Sequence, residues 1–424
     1  MNPAATPNLY PVSLRMAIDA VVEVPGSKSI ANRALVLASL ASGRSVLTNV
    51  PDGDDTVALI ESLRTLGVGI EWDDGVCVVN GPLDFADKST RTVNAHLAGT
   101  TSRFLMALAA TRAGSTTITG EGPLRTRPNM DLKQALVDIG AQVNGTSADG
   151  LPVVVSGANI KGGVIEISGS SSSQFITALM LIGAHLRDGI SIQIDGDLVS
   201  RSYILMTAQV LKAFGVDAQI QEAEIRIGTQ PIISSDLFIE PDASSASYPL
   251  AAAAIVGGRA TVKGLGAQSL QGDSVFVNLL AQMGCDGAVS EDTTVIRDLR
   301  SPLQGIDLDM KDCSDLVPTM AVVCCFARSP SRIRGVEFIR RKESDRLGDL
   351  AGELCKMGAD VEVLNDGLLI KPAQLHGAEL FTHHDHRLAM ALALAGLTVP
   401  GVTIREPDVV AKSWPQYWKM LERL

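Results

Sequence analysis

Runs rich in alanine and leucine recur along this chain, each preceded by a small polar cluster and followed by a breaker and a β-like run. From Pro25 to Val50 the residues read PGSKSIANRALVLASLASGRSVLTNV. A Gly/Ser turn carries Lys28 and Ser29, an apolar run spans Ala34 to Ala41, Gly43 interrupts it, and Ser45 to Val50 reads as a strand. Serine ahead of an apolar run is a helix cap and glycine behind it a helix stop. Ser29, Asn32 and Arg33 are therefore expected on the first turn of a helix.

The same design returns as AGTTSRFLMALAATRAGSTTITG, SSSSQFITALMLIGAHLRDGISIQIDG, DASSASYPLAAAAIVGGRATVKGL, CSDLVPTMAVVCCFARSPSRIRGV and HDHRLAMALALAGLTVPGVTIREP. With Ser29, Thr101, Ser173, Ser245, Asp315 and Asp385 as equivalents, the steps are 72, 72, 72, 70 and 70 residues. A second marker lies out of phase, an apolar helix end closed by Gly67, Gly140, Gly215, Gly284 or Gly358, at steps of 73, 75, 69 and 74. A sixth copy begins at Trp418. Two markers sharing a period of about 70 residues indicate an internal repeat longer than most solenoid units. The unit is a small α/β module with two helices and several strands.

Between the markers, residues 9–24 read as an opening strand, and DGDDT at 52–56 caps a second helix over Val57–Leu66. The proline and glycine of GEGPLRTRPNMD at 120–131 exclude a helix or central strand there. SGSSSSQ at 168–174 reads as a linker or as a helix cap. IISSDLFIE reads as a strand that meets Pro241, where a domain crossing is expected; six units then make two domains of three.

The composition, 46% hydrophobic and 20% charged over 424 residues, is that of a globular protein. A net charge of −11 and 4% aromatic residues argue against nucleic acid and anionic membranes as partners. The six cysteines form no CxxC pair or zinc-spaced cluster, so no metal is expected and a reducing compartment is. The N-terminus lacks the apolar core of a signal peptide. The longest apolar runs, about a dozen residues, fall short of the ~18 that span a bilayer. A cytoplasmic protein is expected.

Against this acidic background, Lys28, Arg33, Arg103 and Arg387 stand near helix starts, where the backbone already carries positive partial charge. Cations there are unfavourable unless an anion joins them, and exposed N–H groups with an Arg fork make an anion site. Taken singly, each reads first as a solvated surface charge, and DHR at 385–387 reads also as a capped helix with a surface histidine, Asp315 as a cap, and KESDR at 342–346 as a solvated turn. Taken together, they point to small phosphate- and carboxylate-bearing ligands.

The motifs PGSKSIANRALVLASL, AGTTSRFL, LRTRP, SGSSSSQF, GDLVSRSY, DASSASYPLAAAA, QGD, RRKESDRL, DHRLAMALAL and AKSWPQYW occur in the order seen in the 5-enolpyruvylshikimate 3-phosphate synthase family, which this chain resembles from about Tyr10 to Leu424. The resemblance implies an α/β fold of two domains, each three βαβαββ units around a pseudo-threefold axis, with the active site in the interdomain cleft. It implies domain I at 1–25 and 241–424 and domain II at 26–240. It also implies transfer of the enolpyruvyl group of phosphoenolpyruvate to the 5-hydroxyl of 3-phosphoshikimate, through a tetrahedral intermediate, by a monomer without cofactor.

By motif position, Lys28 resembles a residue touching both substrates, and Ser29 and Arg33 resemble shikimate contacts. Ser172, Ser173, Gln174, Ser200 and Tyr203 resemble the shikimate-phosphate site. Gly99, Arg127, Arg346, Arg387 and Lys412 resemble the phosphoenolpyruvate site. Asp315 and Lys342 resemble further shikimate contacts, with Glu343 beside the transferred carbons. The chemistry needs a base for the hydroxyl and an acid for the methylene carbon. Asp315 is the candidate base and Glu343 the candidate acid, and Lys28 could share either role.

Leu97, Phe104 and Phe338 depart from the residues common in the family, Asn, Pro and Asn. Gly99 keeps the small residue that leaves room for glyphosate. The sister transferase acting on UDP-N-acetylglucosamine uses a cysteine in the loop equivalent to 120–130, and this loop has none. A repeat scaffold for a polyanion would instead spread its basic residues over an exposed face and leave Asp315 and Glu343 dispensable.

Overall fold

The computed structural model of the chain describes residues 8–145, 149–157, 160–170, 172–298 and 301–424. The N-terminal stretch 1–7 and Ser171 of the serine run lie outside the described residues. The architecture is mixed α/β, and the chain divides into two compact units, Gly26–Glu240 and Met1–Pro25 with Pro241–Leu424.

In Gly26–Glu240 the helices are α1 (Lys28–Leu40), α2 (Asp54–Thr65), α3 (Gly99–Ala109), α4 (Met130–Asp138), α5 (Ser173–Gly183) and α6 (Arg201–Ala213). Helices α1, α3 and α5 follow the polar clusters and each packs on the other two. They are buried almost throughout, because three sheets flank them. In one sheet, Arg91–Asn94 runs parallel to Ser115–Thr119, which pairs antiparallel with Val153–Ser156 and through it with Gln142–Gly145. Gly163–Ser168, Ile190–Asp195, Glu224–Ile227 and Gln219–Ile220 repeat that order. The third sheet is completed from the far end of the unit: Leu237–Phe238 lies parallel to Gly43–Thr48, which pairs with Val76–Gly81 and then Gly69–Asp73.

The other unit holds α7 (Ala243–Val256), α8 (Phe276–Gln282), α9 (Val317–Cys324), α10 (Gly348–Lys356), α11 (His386–Ala395) and α12 (Tyr417–Leu421). Every residue of α7 is buried, and its alanines let α9 and α11 approach closely. Enlarging one of these alanines would force the packed backbones apart at about 1–3 kcal/mol. Its first sheet borrows Ile18–Val22, parallel to Gly258–Val262. Its last has three strands, Glu379–Phe381 parallel to Thr403–Arg405, with Leu9–Pro11 antiparallel on the free edge. The single opening strand expected over 9–24 is thus two strands in two different sheets.

The outer helices end alike. At Gly67, Gly140, Gly215, Gly284 and Gly358 φ lies between 78° and 103°. In each case the next residue's N–H reaches the carbonyl five positions back, as Val68 does to Leu63 and Ala359 to Leu354, while the glycine N–H bonds three back. This double closure needs a left-handed residue, which glycine adopts without a Cβ clash.

Candidate active site

In Gly26–Glu240 the starts of α1, α3 and α5 bring cations together. Lys28 opens α1, and its ammonium lies 2.8 Å from the Asp55 carboxylate on the first turn of α2. Thr101 of α3 donates to the Asp55 carbonyl at 2.9 Å. Arg33, one turn further along α1, is buried at 3% exposure. Its Nε donates to Thr207 Oγ1 at 2.8 Å, Nη1 to the Ser29 carbonyl at 2.6 Å, and Nη2 to Thr177 and to the Tyr203 carbonyl. Burial lowers its pKa to about 10, because these neutral acceptors solvate a charge less well than water does. The Phe104 ring centroid is 5.7 Å from its guanidinium and that of Tyr203 6.0 Å, so the departure at Phe104 puts an aromatic face beside this cation.

Arg103 bonds Asn129, the Pro128 carbonyl and Gln174 Oε1, and its guanidinium lies 5.0 Å from the Phe175 ring. Ser172 caps α5, its Oγ accepting from the Gln174 N–H, and Ser173 is buried behind it. Ser200 precedes α6 at φ 57°, a left-handed conformation costly for a residue with a Cβ. Gly99 faces Arg127: a Cβ built there falls 2.5 Å from Arg127 Nη1 and 2.9 Å from Cζ. The glycine therefore makes room first of all for a guanidinium. Of the expected residues in this unit, Lys28, Ser29, Arg33, Tyr203, Ser172, Ser173 and Gln174 lie on one connected set of helix starts, with Gly99 and Arg127 in mutual contact.

The second cluster centres on Arg346, which is 2% exposed. Its Nε lies 2.7 Å from Asp385 Oδ2, Nη1 3.0 Å from Asp315 Oδ1, and Nη2 2.8 Å from Glu343 Oε2. Arg387 Nη2 holds the other Asp315 oxygen at 2.7 Å. Asp385 also caps α11, accepting the Arg387 N–H at 2.9 Å. Burial alone would raise the Asp315 pKa, but Arg387, Arg346 and Lys342 outweigh it and hold this carboxyl well below the usual range. Burial likewise opposes the charge on Arg346, yet Asp385, Glu343 and Asp315 raise its pKa. Lys342 sits 5.8 Å from the Phe338 ring centroid, so the second departure also sets an aromatic face against a cation. Lys412 is buried at the end of the Pro407–Lys412 turn.

Three readings change. KESDR is not a solvated turn, because Arg346 is buried and tied to three carboxylates. DHR does not carry a surface histidine, since His386 is 1% exposed. Asp315 does not cap its helix; both of its oxygens hold guanidinium groups. Sequence reasoning missed Asp55 and Asp385 as ion-pair partners and took them for capping residues. The signal for Asp385 was present, since the repeat puts acids at Asp315 and Asp385 where the first four units carry Ser or Thr.

Among the described residues no group of three or more His, Cys, Asp or Glu could hold a metal ion. No described helix is long and apolar enough to cross a membrane.

The family model described as EPSP synthase (3-phosphoshikimate 1-carboxyvinyltransferase) matches residues 12–421. A 3-phosphoshikimate 1-carboxyvinyltransferase of Nostoc punctiforme is 40% identical over 420 residues, covering 97% of this chain and 98% of that protein. That of Shewanella loihica is 38% identical over 424 residues, with 98% of each covered. Among solved structures, EPSP synthase from Acinetobacter baumannii superposes with a TM-score of 0.80 at 24% identity, covering 99% of this chain and 98% of that one. The fold is also that of the enolpyruvyl transferase NikO from Streptomyces tendae, with a TM-score of 0.77 at 20% identity and coverage of 98% and 97%.

Proposed function

Since the chain belongs to the EPSP synthase (3-phosphoshikimate 1-carboxyvinyltransferase) family, we propose that its two cation clusters, one in each unit, serve that family's reaction. The enzyme is a transferase of the shikimate pathway to aromatic amino acids. It moves the enolpyruvyl group of phosphoenolpyruvate to the 5-hydroxyl of 3-phosphoshikimate and releases phosphate.

Ser172, Ser173, Gln174, Ser200 and Tyr203 receive the shikimate phosphate, and Ser29, Arg33, Asp315 and Lys342 the ring. Gly99, Arg127, Arg346, Arg387 and Lys412 take phosphoenolpyruvate, and Lys28 reaches both. In the addition step the 5-oxygen bonds to C2 of phosphoenolpyruvate. Its proton passes to Asp315, and C3 gains one from Glu343, with Lys28 able to share either transfer. In the elimination step C3 returns a proton and the C2–O bond to phosphate breaks. The cations offset the charge that gathers on phosphate and carboxylate.

The observation that carries this reading is Arg346, whose single guanidinium holds both candidate proton carriers, Asp315 at 3.0 Å and Glu343 at 2.8 Å. Both carboxylates keep partial exposure, 18% and 16%, whereas Asp385 is fully buried. An incoming anion can therefore displace the first two and leave Asp385 to hold the arginine in place.

The test is phosphate release with both substrates, with and without glyphosate, in wild type, Lys28→Met and Glu343→Ala. Wild-type release that glyphosate suppresses is expected. Each variant should lose at least about a hundredfold in turnover, the usual reach of a positioned acid or base, while 3-phosphoshikimate still binds. Normal turnover in both variants would discard the acid–base assignment. The protein should act in the cytoplasm as a monomer, without cofactor, nucleic acid or membrane.

A further inference from the structure

The QGD motif at 271–273 has no part in the roles above, yet it is tied into the start of α7. Gln271 Oε1 accepts the Ala243 N–H at 2.9 Å and its Nε2 donates to the Pro241 carbonyl at 2.7 Å. Asp273, 5% exposed, accepts the Ser244 hydroxyl on Oδ2, while its Oδ1 is buried with no hydrogen-bond partner. Helix α7 packs against the turn that carries Asp315 and against α11, which carries Arg387. A buried carboxyl with an idle oxygen is costly unless its charge is used or quenched.

We propose that Asp273 is a positioning residue for the reaction, a second carboxyl behind Asp315 whose ionisation loosens the Arg387–Asp315 pair and makes Asp315 the stronger base. The inference rests on the reading of Asp315 as the base. The titratable groups acting on Asp273 are Asp315, Asp242 and Arg387, and Cys313 responds to it in turn. Burial and then the Asp315 charge push the Asp273 carboxyl up to about 7, against the Ser244 hydroxyl and Arg387. Below that pH Asp273 is neutral and adds no charge beside the Arg387–Asp315 pair. Above it, a second negative charge acts on both Arg387 and Asp315, and the repulsion between the two carboxylates raises the proton affinity of Asp315.

The experiment compares pH profiles of kcat and KM for wild type, Asp273→Asn and Ser244→Ala, together with the Tm of each protein without substrates. Wild-type kcat should rise through about pH 7, and the Asn variant should lose that limb, falling about tenfold at pH 8 with both KM values within about twofold. Ser244→Ala removes a hydrogen bond that favours the charged carboxyl, so its limb should move to higher pH. The Tm of wild type relative to the Asn variant should fall between about pH 4 and 7 and level off above, because between those values the folded protein keeps a proton on Asp273 that the unfolded chain has lost. Coincident kcat profiles in all three proteins, or KM changes without a kcat change, would overturn the inference while wild-type turnover stays normal. An inactive wild type would overturn the functional reading and this inference with it. Should Asp273→Asn not fold, an unmoved limb in Ser244→Ala overturns the inference by itself.

Discussion

The two clusters treat their arginines in opposite ways. In Gly26–Glu240, Arg33 and Arg103 are held by hydroxyls, amides and carbonyls. In the other unit, Arg346 and Arg387 are held by Asp315, Glu343 and Asp385. At Arg33 neutral partners leave the positive charge undiminished, so this guanidinium is poised for an anion, and its lowered pKa records the cost. Carboxylate partners cancel the charge at rest but place proton carriers at the guanidinium. The first arrangement suits binding and the second suits chemistry. Lys28, paired with Asp55, is the member of the binding cluster built like the other one.

Removing one arginine from each cluster tests that contrast most strongly. Arg346→Met takes a guanidinium partner from three carboxylates, one of them, Asp385, fully buried, and should destabilise the protein by about 3–5 kcal/mol. Arg33→Met leaves only neutral acceptors unpaired, each costing about 1–3 kcal/mol at most and partly offset by apolar burial. Thermal or urea unfolding should therefore rank Arg346→Met well below Arg33→Met, while Arg33→Met loses chiefly affinity for 3-phosphoshikimate. Equal losses of stability would erase the distinction.

A smaller effect is expected at Gly99. Its alanine variant drives a methyl against the movable end of Arg127, so the guanidinium swings away rather than the helix breaking. The KM for phosphoenolpyruvate should rise about tenfold, equivalent to ~1.4 kcal/mol, and glyphosate inhibition should weaken. Unchanged values for both would remove Arg127 from that site.

The smallest effect concerns Glu353, which holds the turn ahead of Asp385. It accepts the Phe381 N–H at 2.9 Å and His383 Nε2 at 2.6 Å, ahead of the turn His383–His384, where φ is 50° and 57°. Burial opposes its charge, but Lys356, His383 and the Phe381 N–H prevail and lower its pKa. The stability it contributes is thus complete above about pH 4.5 and lost as pH falls through its folded pKa. Glu353→Gln should lower Tm at neutral pH and flatten its fall in acid. Parallel Tm curves would show that the carboxylate charge has no part in the turn.

The period of Ala-rich runs and closing glycines is a local property, and it is visible in residue order alone. Burial between sheets demands small apolar residues at helical spacing, and a left-handed helix end demands glycine. The six inner helix starts and five of the outer helix ends could therefore be placed before any coordinates. The substitution of Asp for Ser or Thr at 315 and 385 is equally legible. Its consequence is not, because it depends on where Arg346 comes to lie, from a segment that reads as a solvated turn. The split of residues 9–24 between two sheets was likewise hidden, since a strand's partner lies hundreds of residues away and leaves no local trace.

What residue order determined by itself was the module, its count and the chemical class of the ligands, because each follows from patterns within one repeat. Only the packing decided which cations meet carboxylates and which meet hydroxyls, because that choice joins side chains from separate repeats and turns on the low dielectric in which they are buried.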